Sequence, residues 1–297
     1  MSNHTFPIGF IGLGNMGSAM VRRLCAAGYP VHGWARSAHT RLALEDTPVR
    51  FHNTIGELCQ QVRVVALNVT RTEDVQAVLF DEGGVVANAA HGTTLIDFST
   101  IDAAAVKDFA PTLRARGLEY IDCPVSGGVT GAKAGTLSMM AGGSRSAFEP
   151  LVPMLKQLGK TIRHVGDSGA GQAIKAANQM ALCIQLVGIA EAMNYALEQG
   201  AELSVVLELL QAGLPASRVL DWAGPHMVEG FTRPPTIEAH LHAKDVDMVA
   251  QAARAQGLHL PLLFKTAELL NELIATGPKS QDTARVFELV HRHLRGS

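Results

Sequence analysis

The stretch GFIGLGNMGSAM, residues Gly9 to Met20, limits what this chain can fold into more than any other. An apolar run from Phe6 to Ile11 reads as a buried strand. It breaks into G-x-G-x-x-G at Gly12, Gly14 and Gly17, and Asn15 to Ala27 then reads as a helix that stops at Gly28. The spacing has a physical reason. Gly12 permits the tight turn, Gly14 leaves room for a pyrophosphate, and Gly17 lets the helix close on the strand. The helix N-terminus offers unpaired N–H groups and a partial positive charge to the phosphates. A glycine-rich turn alone is a weak signal. Here a strand precedes it, a helix follows, and a second strand is expected at Pro30 to Trp34. The context predicts a dinucleotide site in which Leu13, Asn15 and Met16 share the turn with the three glycines.

The end of the second strand bears on which dinucleotide. An acidic residue there recognises the ribose 2′-hydroxyl of NAD. This chain has GWARS instead, with Ala35, Arg36 and Ser37. No carboxylate repels a 2′-phosphate, Arg36 can pair with it, and Ser37 can donate to it. The expectation is NADP in preference to NAD, with NAD as the alternative and a solvated surface arginine as the plainer reading of Arg36.

Strand and helix patterns then alternate. Strands are expected at Arg63–Asn68, Thr94–Phe98, Glu119–Cys123 and Thr136–Ala141, and helices at Thr72–Leu79, Ala103–Arg116 and Ser146–Leu158. Such alternation predicts an α/β fold, a Rossmann-type doubly wound parallel sheet with helices on both faces. From Gly169 the pattern becomes helical, beginning with a segment from about Ala170 to Gln199. The chain is therefore expected to hold a nucleotide-binding domain at 1–168 and an all-α domain at 169–297, joined by a long interdomain helix.

Composition excludes several functions. With 297 residues, 47% hydrophobic and 18% charged, a large core can form. A formal charge of −2 gives no electrostatic case for nucleic acid or an anionic membrane. The apolar stretch Ala181 to Met193 is read as too short to span a bilayer and as buried in protein. No signal peptide is read at the N-terminus, and four scattered cysteines fit reduced thiols, so a cytoplasmic protein is expected. His240 with His242, and His291 with His293, are spaced i, i+2 and do not share a helical face, so no metal site is expected. The apolar helical region suggests a homodimer or homotetramer.

Three later motifs carry candidate chemistry. In DCPVSGG, Asp122 to Gly128, Ser126 with Gly127 and Gly128 makes a turn of exposed N–H groups suited to a small carboxylate, or else an ordinary tight turn. In GAGQAIKAANQ, Gly169 to Gln179, the residues Lys175, Asn178 and Gln179 share one helical face. Lys175 lies near the positive helix end, which disfavours its charged form. Its apolar neighbours Ile174, Ala176, Ala177 and Met180 suggest a buried helix rather than a solvated lysine. In LHAKDVDMV, Leu241 to Val249, Lys244 and Asp245 interrupt an apolar helix start.

Taken in order, GLGNMG, D-x-P-V-S-G-G, G-x-G-x-x-x-K-x-x-N-Q and the late Lys-Asp resemble the β-hydroxyacid dehydrogenase family over nearly the whole chain. That family includes 3-hydroxyisobutyrate dehydrogenases and tartronate semialdehyde (2-hydroxy-3-oxopropionate) reductases, and Gly213 to Asp245 looks most like the latter. The resemblance implies an NAD(P)-dependent oxidoreductase of small hydroxyacids or semialdehydes. It implies that Lys175 is catalytic, that Ser126, Gly127 and Asn178 bind substrate, and that Thr100 contacts the nicotinamide end. It also implies that Lys244 lies beside nicotinamide and substrate. The chain departs from the family pattern at Asn68-Val69, where Leu-Pro is frequent, at Asp282-Thr283-Ala284, and at Cys123, read as a core residue. Two rivals stand beside this reading: an imine or other carbonyl reductase of the same fold, and a non-catalytic NADP-binding module. Lys175 weighs against the first, and the full set of Ser126, Lys175, Asn178 and Lys244 against the second.

Overall fold

In the computed structural model, which describes residues 5–278 and 280–294, the chain divides into two compact units, Met1–Lys175 and Ala176–Ser297. Among the described residues the first unit is built on nine strands: β1 (Ile8–Ile11), β2 (Val31–Trp34), β3 (Arg50–Phe51), β4 (Val64–Leu67), β5 (Thr94–Asp97), β6 (Glu119–Asp122), β7 (Val125–Ser126), β8 (Leu137–Gly142) and β9 (Gly159–Gly166). They run in the order β3-β2-β1-β4-β5-β6-β8-β7, with β9 pairing β8. From β3 to β6 every pairing is parallel. This is the doubly wound order in which ligands bind at the carboxyl ends of the strands, beside the switch point between β1 and β4.

The alternation of side chains explains the two layers. Along β4, Val65 and Leu67 point into one apolar cluster and Ala66 into the other, and along β5 Leu95 and Ile96 divide the same way. Each face thus needs helices over it. The first helix (Asn15–Ala26) covers one face with Met20, Val21 and Leu24, and the helix Ala103–Ala115 covers the other with Val106 and Leu113. A fully buried side chain of this size contributes about 1.5–3 kcal/mol, so the sheet and its helices hold together without any disulfide. All four cysteines are free, and Cys123 is wholly buried.

The structure departs from the sequence-based expectations in several places. The helix expected at Ser146–Leu158 is a helix at Arg145–Phe148, a 3-10 turn at Glu149–Leu151 and a helix at Val152–Leu158. Pro150 and Pro153 lack the N–H groups that a continuous helix would use. The sheet is not parallel throughout, because β8 runs antiparallel to both β6 and β7. The strand β9 was not foreseen: it runs parallel to β8, and most of its residues are half-buried or exposed.

The second unit is helical. After the long helix Ala170–Glu198, shared across the division, come helices at Leu203–Ala212, Arg218–Val228, Ala239–Ala255, Pro261–Thr276 and Val286–Leu294. Its core gathers Leu186, Met193, Leu220, Val246, Leu270 and Leu289. The stretch Ala181–Met193 is buried on one side only. Cys183, Leu186, Ala190 and Met193 face the core, while Ala181, Gln185, Gly188 and Glu191 are exposed. The 29-residue helix is also long and apolar enough, by length and composition alone, to cross a bilayer, because Gln185 and Glu191 do not interrupt it.

Candidate functional site

The nucleotide turn has the geometry its glycines require. Gly12 sits at φ +91°, and a Cβ there would lie 2.2 Å from the carbonyl oxygen of Asn68 in the loop after β4. A Cβ on Gly17 would lie 2.0 Å from the carbonyl oxygen of Gly12, so the helix closes onto the turn. Gly14 differs: among the described residues nothing lies within 4 Å of the position its Cβ would take. It is the N-cap of the first helix and, as a glycine, supplies no side-chain acceptor to the first-turn N–H groups. That empty approach to an uncapped helix end fits a dinucleotide pyrophosphate. Leu13 is buried in the core, Asn15 is exposed, and Met16 is partly buried, so Leu13 can serve a cofactor through its backbone only.

After β2, Ala35 is buried while Arg36 and Ser37 are exposed. The loop behind them is tied down. The Trp34 indole N–H donates to the Asn53 carbonyl at 3.3 Å, and Arg41 donates to the His52 carbonyl at 2.9 Å while lying over the Phe51 ring. Sequence reading did not single out Arg41, a second guanidinium five residues beyond Arg36.

At the carboxyl ends of β5 and β6 the structure reveals a buried polar network. Asp97 accepts the Tyr120 hydroxyl at 2.7 Å and the Ser99 N–H at 2.8 Å. The Ser99 hydroxyl in turn accepts the Val69 N–H at 2.9 Å. Asp122 accepts the N–H groups of Gly169 at 2.8 Å and Gln172 at 2.9 Å, so its carboxylate caps the long helix from a distant strand. Burial pushes the Asp122 carboxyl up to about 6, against the pull of those two N–H donors. Thr100 lies in this region, partly exposed, between Ser99 and Ile101.

Lys175 stands in the second turn of the long helix and is 7% exposed. The expected buried helix is buried on the lysine's face, while Ile174 is 43% exposed and Ala173 and Ala177 are exposed too. The lysine is buried because its own face turns inward, not because its neighbours do. Ser126 is half-buried on β7, opposite Ser138 on β8. Gly127 and Gly128 follow at φ +131° and +61°, both exposed, and open the helix Gly128–Ala134 without a side-chain cap.

In the helical unit, Asn178 donates to the Gln179 side-chain oxygen at 2.8 Å, and Gln179 donates to Asp245 Oδ2 at 2.7 Å. Lys244 Nζ lies 2.9 Å from Asp245 Oδ1. The structure thus joins Asn178 to Lys244 through two residues to which the sequence had assigned no role. The start of the helix Ala239–Ala255 that carries Lys244 is itself pinned. Thr236 donates to Asp282 from both its backbone N–H and its hydroxyl, and the Thr283 N–H donates to the Ile237 carbonyl. His242 is buried with Nδ1 3.0 Å from the Thr283 hydroxyl.

A doubly wound sheet with a glycine turn, a long helix carrying a buried lysine in its second turn, and a helical unit after it define a dinucleotide-dependent oxidoreductase. Residues 7–166 match the family described as the NAD-binding domain of 6-phosphogluconate dehydrogenase. Residues 169–290 match the NAD-binding family of NADP-dependent 3-hydroxyisobutyrate dehydrogenase. The chain is 35% identical over 291 residues to the 2-hydroxy-3-oxopropionate reductase of Escherichia coli, covering 96% of this chain and 98% of that one. Among solved structures it resembles Mycobacterium tuberculosis 3-hydroxyisobutyrate dehydrogenase with L-serine, at a TM-score of 0.88 and 28% identity, covering 96% of this chain and 99% of that one. It also resembles Psf3 in complex with NADP+ and 2-OPP, at a TM-score of 0.87 and 28% identity, covering 95% and 99%. The chain belongs to the 3-hydroxyisobutyrate dehydrogenase family of NAD(P)-dependent β-hydroxyacid dehydrogenases and reductases.

Proposed function

We propose that this chain interconverts a small carboxylic acid bearing a carbonyl with its hydroxyacid, with Lys175 as the general acid and base. The substrate reading is 2-hydroxy-3-oxopropionate or 3-hydroxyisobutyrate, the compounds named for the relatives. The observation that carries it is Lys175 itself, a lysine held 7% exposed near the start of a helix that a buried carboxylate caps. The bound nicotinamide supplies or accepts the hydride. In reduction, negative charge develops on the carbonyl oxygen, and the Lys175 ammonium donates a proton to that oxygen; in oxidation the neutral amine takes it back. Asn178, its amide fixed by Gln179, orients the reacting group. Backbone N–H groups at Ser126, Gly127 and Gly128 hold the carboxylate, Thr100 serves the nicotinamide end, and Lys244 adds positive charge where the acid binds.

NADP is preferred in this reading. The pyrophosphate lies on Gly12, Gly14 and Gly17, and the exposed Arg36 and Ser37 meet the 2′-phosphate, with the small Ala35 offering no repulsion. A homodimer or homotetramer is also part of the proposal, supported by the exposed Leu209, Leu214 and Leu262 of the helical unit. Light scattering tests that assembly. The activity is tested by following nicotinamide absorbance with a panel of small semialdehydes, hydroxyacids and imines, using both cofactors in both directions. Turnover of imines alone, or of nothing while NADPH still binds, would favour one of the two rival readings.

A further inference from the structure

The buried network at the start of the long helix contains one side chain that bonds to both neighbours of Thr100. Gln172 is 1% exposed. Its Nε2 donates to the Ser99 carbonyl at 2.8 Å, and its Oε1 accepts the Ile101 N–H at 3.1 Å. The amide thus grips the loop after β5 on each side of Thr100. Its own backbone N–H is held by Asp122 Oδ2 at 2.9 Å. Space for this arrangement is reserved by glycines. A Cβ on Gly171 would lie 2.2 Å from the Met140 carbonyl oxygen and 2.7 Å from Asp122 Oδ2, and one on Gly142 would lie 2.6 Å from Asp122 Oδ1.

Lys175 follows Gln172 by three residues on the same helix, so the two side chains lie on one face. We propose that Gln172 is a positioning residue, one that sets Lys175 in fixed register with the Thr100 loop, with the Asp122 carboxylate as the second anchor of the helix start. The inference rests on the reading of Lys175 as the acid and base. The physical case is that proton transfer depends steeply on reach and alignment, and that displacement by about 1 Å can cost 10²-fold in rate. The capped helix start ties the helix to β6. The two bonds from one planar amide tie it to the loop after β5 as well, in one orientation, because a glutamine presents its donor and its acceptor in fixed relative geometry.

The test is Gln172→Met, an unbranched side chain that keeps the helix and removes both bonds to the loop. Rates are expressed per NADPH-binding site, counted by fluorescence titration, with the substrate identified in the panel. The expected result is a fall in kcat of about 30-fold or more, with KM for NADPH within threefold of wild type. In a Lys175→Ala background the same substitution should lower the residual rate less than threefold, because the residue whose position it sets is gone. A purely structural role would lower the melting temperature and the number of binding sites while leaving kcat per site unchanged, and that outcome overturns the proposal. So does an equal loss in both backgrounds. If Gln172→Met yields no folded protein, Gln172→Glu keeps the acceptor for Ile101 and loses the amide donor to Ser99. A kcat per site within threefold of wild type at neutral pH would then overturn the proposal, and a larger loss would support it. A Lys175→Ala variant with normal turnover defeats the reading of Lys175 itself; an inactive Lys175→Ala beside a normal Gln172→Met defeats only the positioning role.

Discussion

The Cβ that Gly17 lacks would lie 2.0 Å from the carbonyl oxygen of Gly12, whereas the Cβ that Gly14 lacks would meet nothing within 4 Å among the described residues. Two glycines of one motif therefore do different work. Gly17→Ala should force backbone apart at a cost of about 1–3 kcal/mol and lower the melting temperature by several degrees. Gly14 has φ −68°, which alanine adopts without strain. Gly14→Ala should leave the melting temperature within about 1 °C while raising the Kd for NADPH at least tenfold, because the methyl group enters the pyrophosphate approach. Differential scanning fluorimetry and cofactor titration on both variants separate the two effects.

Arg36 is exposed at the end of β2, beside the buried Ala35. Arg36→Ala should raise KM for NADPH about tenfold or more and leave KM for NADH within twofold, since only the 2′-phosphate needs the guanidinium. Equal effects on the two cofactors, or a wild-type preference for NADH, would place the 2′-phosphate elsewhere.

Lys175→Ala should keep the fold and NADPH binding and lose turnover by about 10²–10⁴-fold, the usual contribution of a general acid. Near-normal kcat would remove Lys175 from the mechanism. Failure to fold would make it a structural residue instead.

His32 Nδ1 lies 2.8 Å from His52 Nε2, with the rings stacked. One nitrogen must accept, so the contact holds only while an acceptor remains unprotonated. Burial, reinforced by His52 and Arg50, holds His32 below the ordinary histidine range. The folded state therefore favours neutral His32. The stability this gives is complete above about pH 6.5 and is lost as pH falls through the depressed value. Replacing His32 by Phe keeps a stacking ring without a titration. The stability advantage of wild type over this variant, from urea melts between pH 7.5 and 5, should shrink as pH falls.

Asp122 acts in the opposite sense. Its carboxyl is raised from 3.8 to about 6, so the folded state holds the proton more tightly than the unfolded chain. The resulting stability is complete below about pH 4 and is lost as pH rises through 6, a change of about 3 kcal/mol. Asp122→Asn should be less stable than wild type at acid pH, because its amide cannot accept both N–H bonds. The gap should narrow as pH rises from 4 to 6.

Much of the first unit is legible in the chain itself, because its signals are local. The glycine spacing, the capless turn and the alternation of apolar runs with helical periods depend on residues within a few positions of one another. The same holds for the shared face of Lys175, Asn178 and Gln179, which follows from 3.6 residues per turn. What joins these pieces is not local. Asp122 reaches 47 residues to Gly169 and 50 to Gln172, Gln172 reaches 73 to Ser99, and Gln179 reaches 66 to Asp245. No spacing rule connects such pairs, since only the strand order brings the ends of β5 and β6 to the start of the long helix. The antiparallel turn of β7 and β8 and the pairing of β9 were hidden for a related reason: β7 is two residues long and β9 is mostly half-buried or exposed, and such strands acquire their register from a partner, not from their own pattern. The sequence by itself determined the candidate residues and the element on which each one stands. The tertiary structure alone decided what holds them in place, because a buried carboxylate or amide finds its partners by topology rather than by distance along the chain.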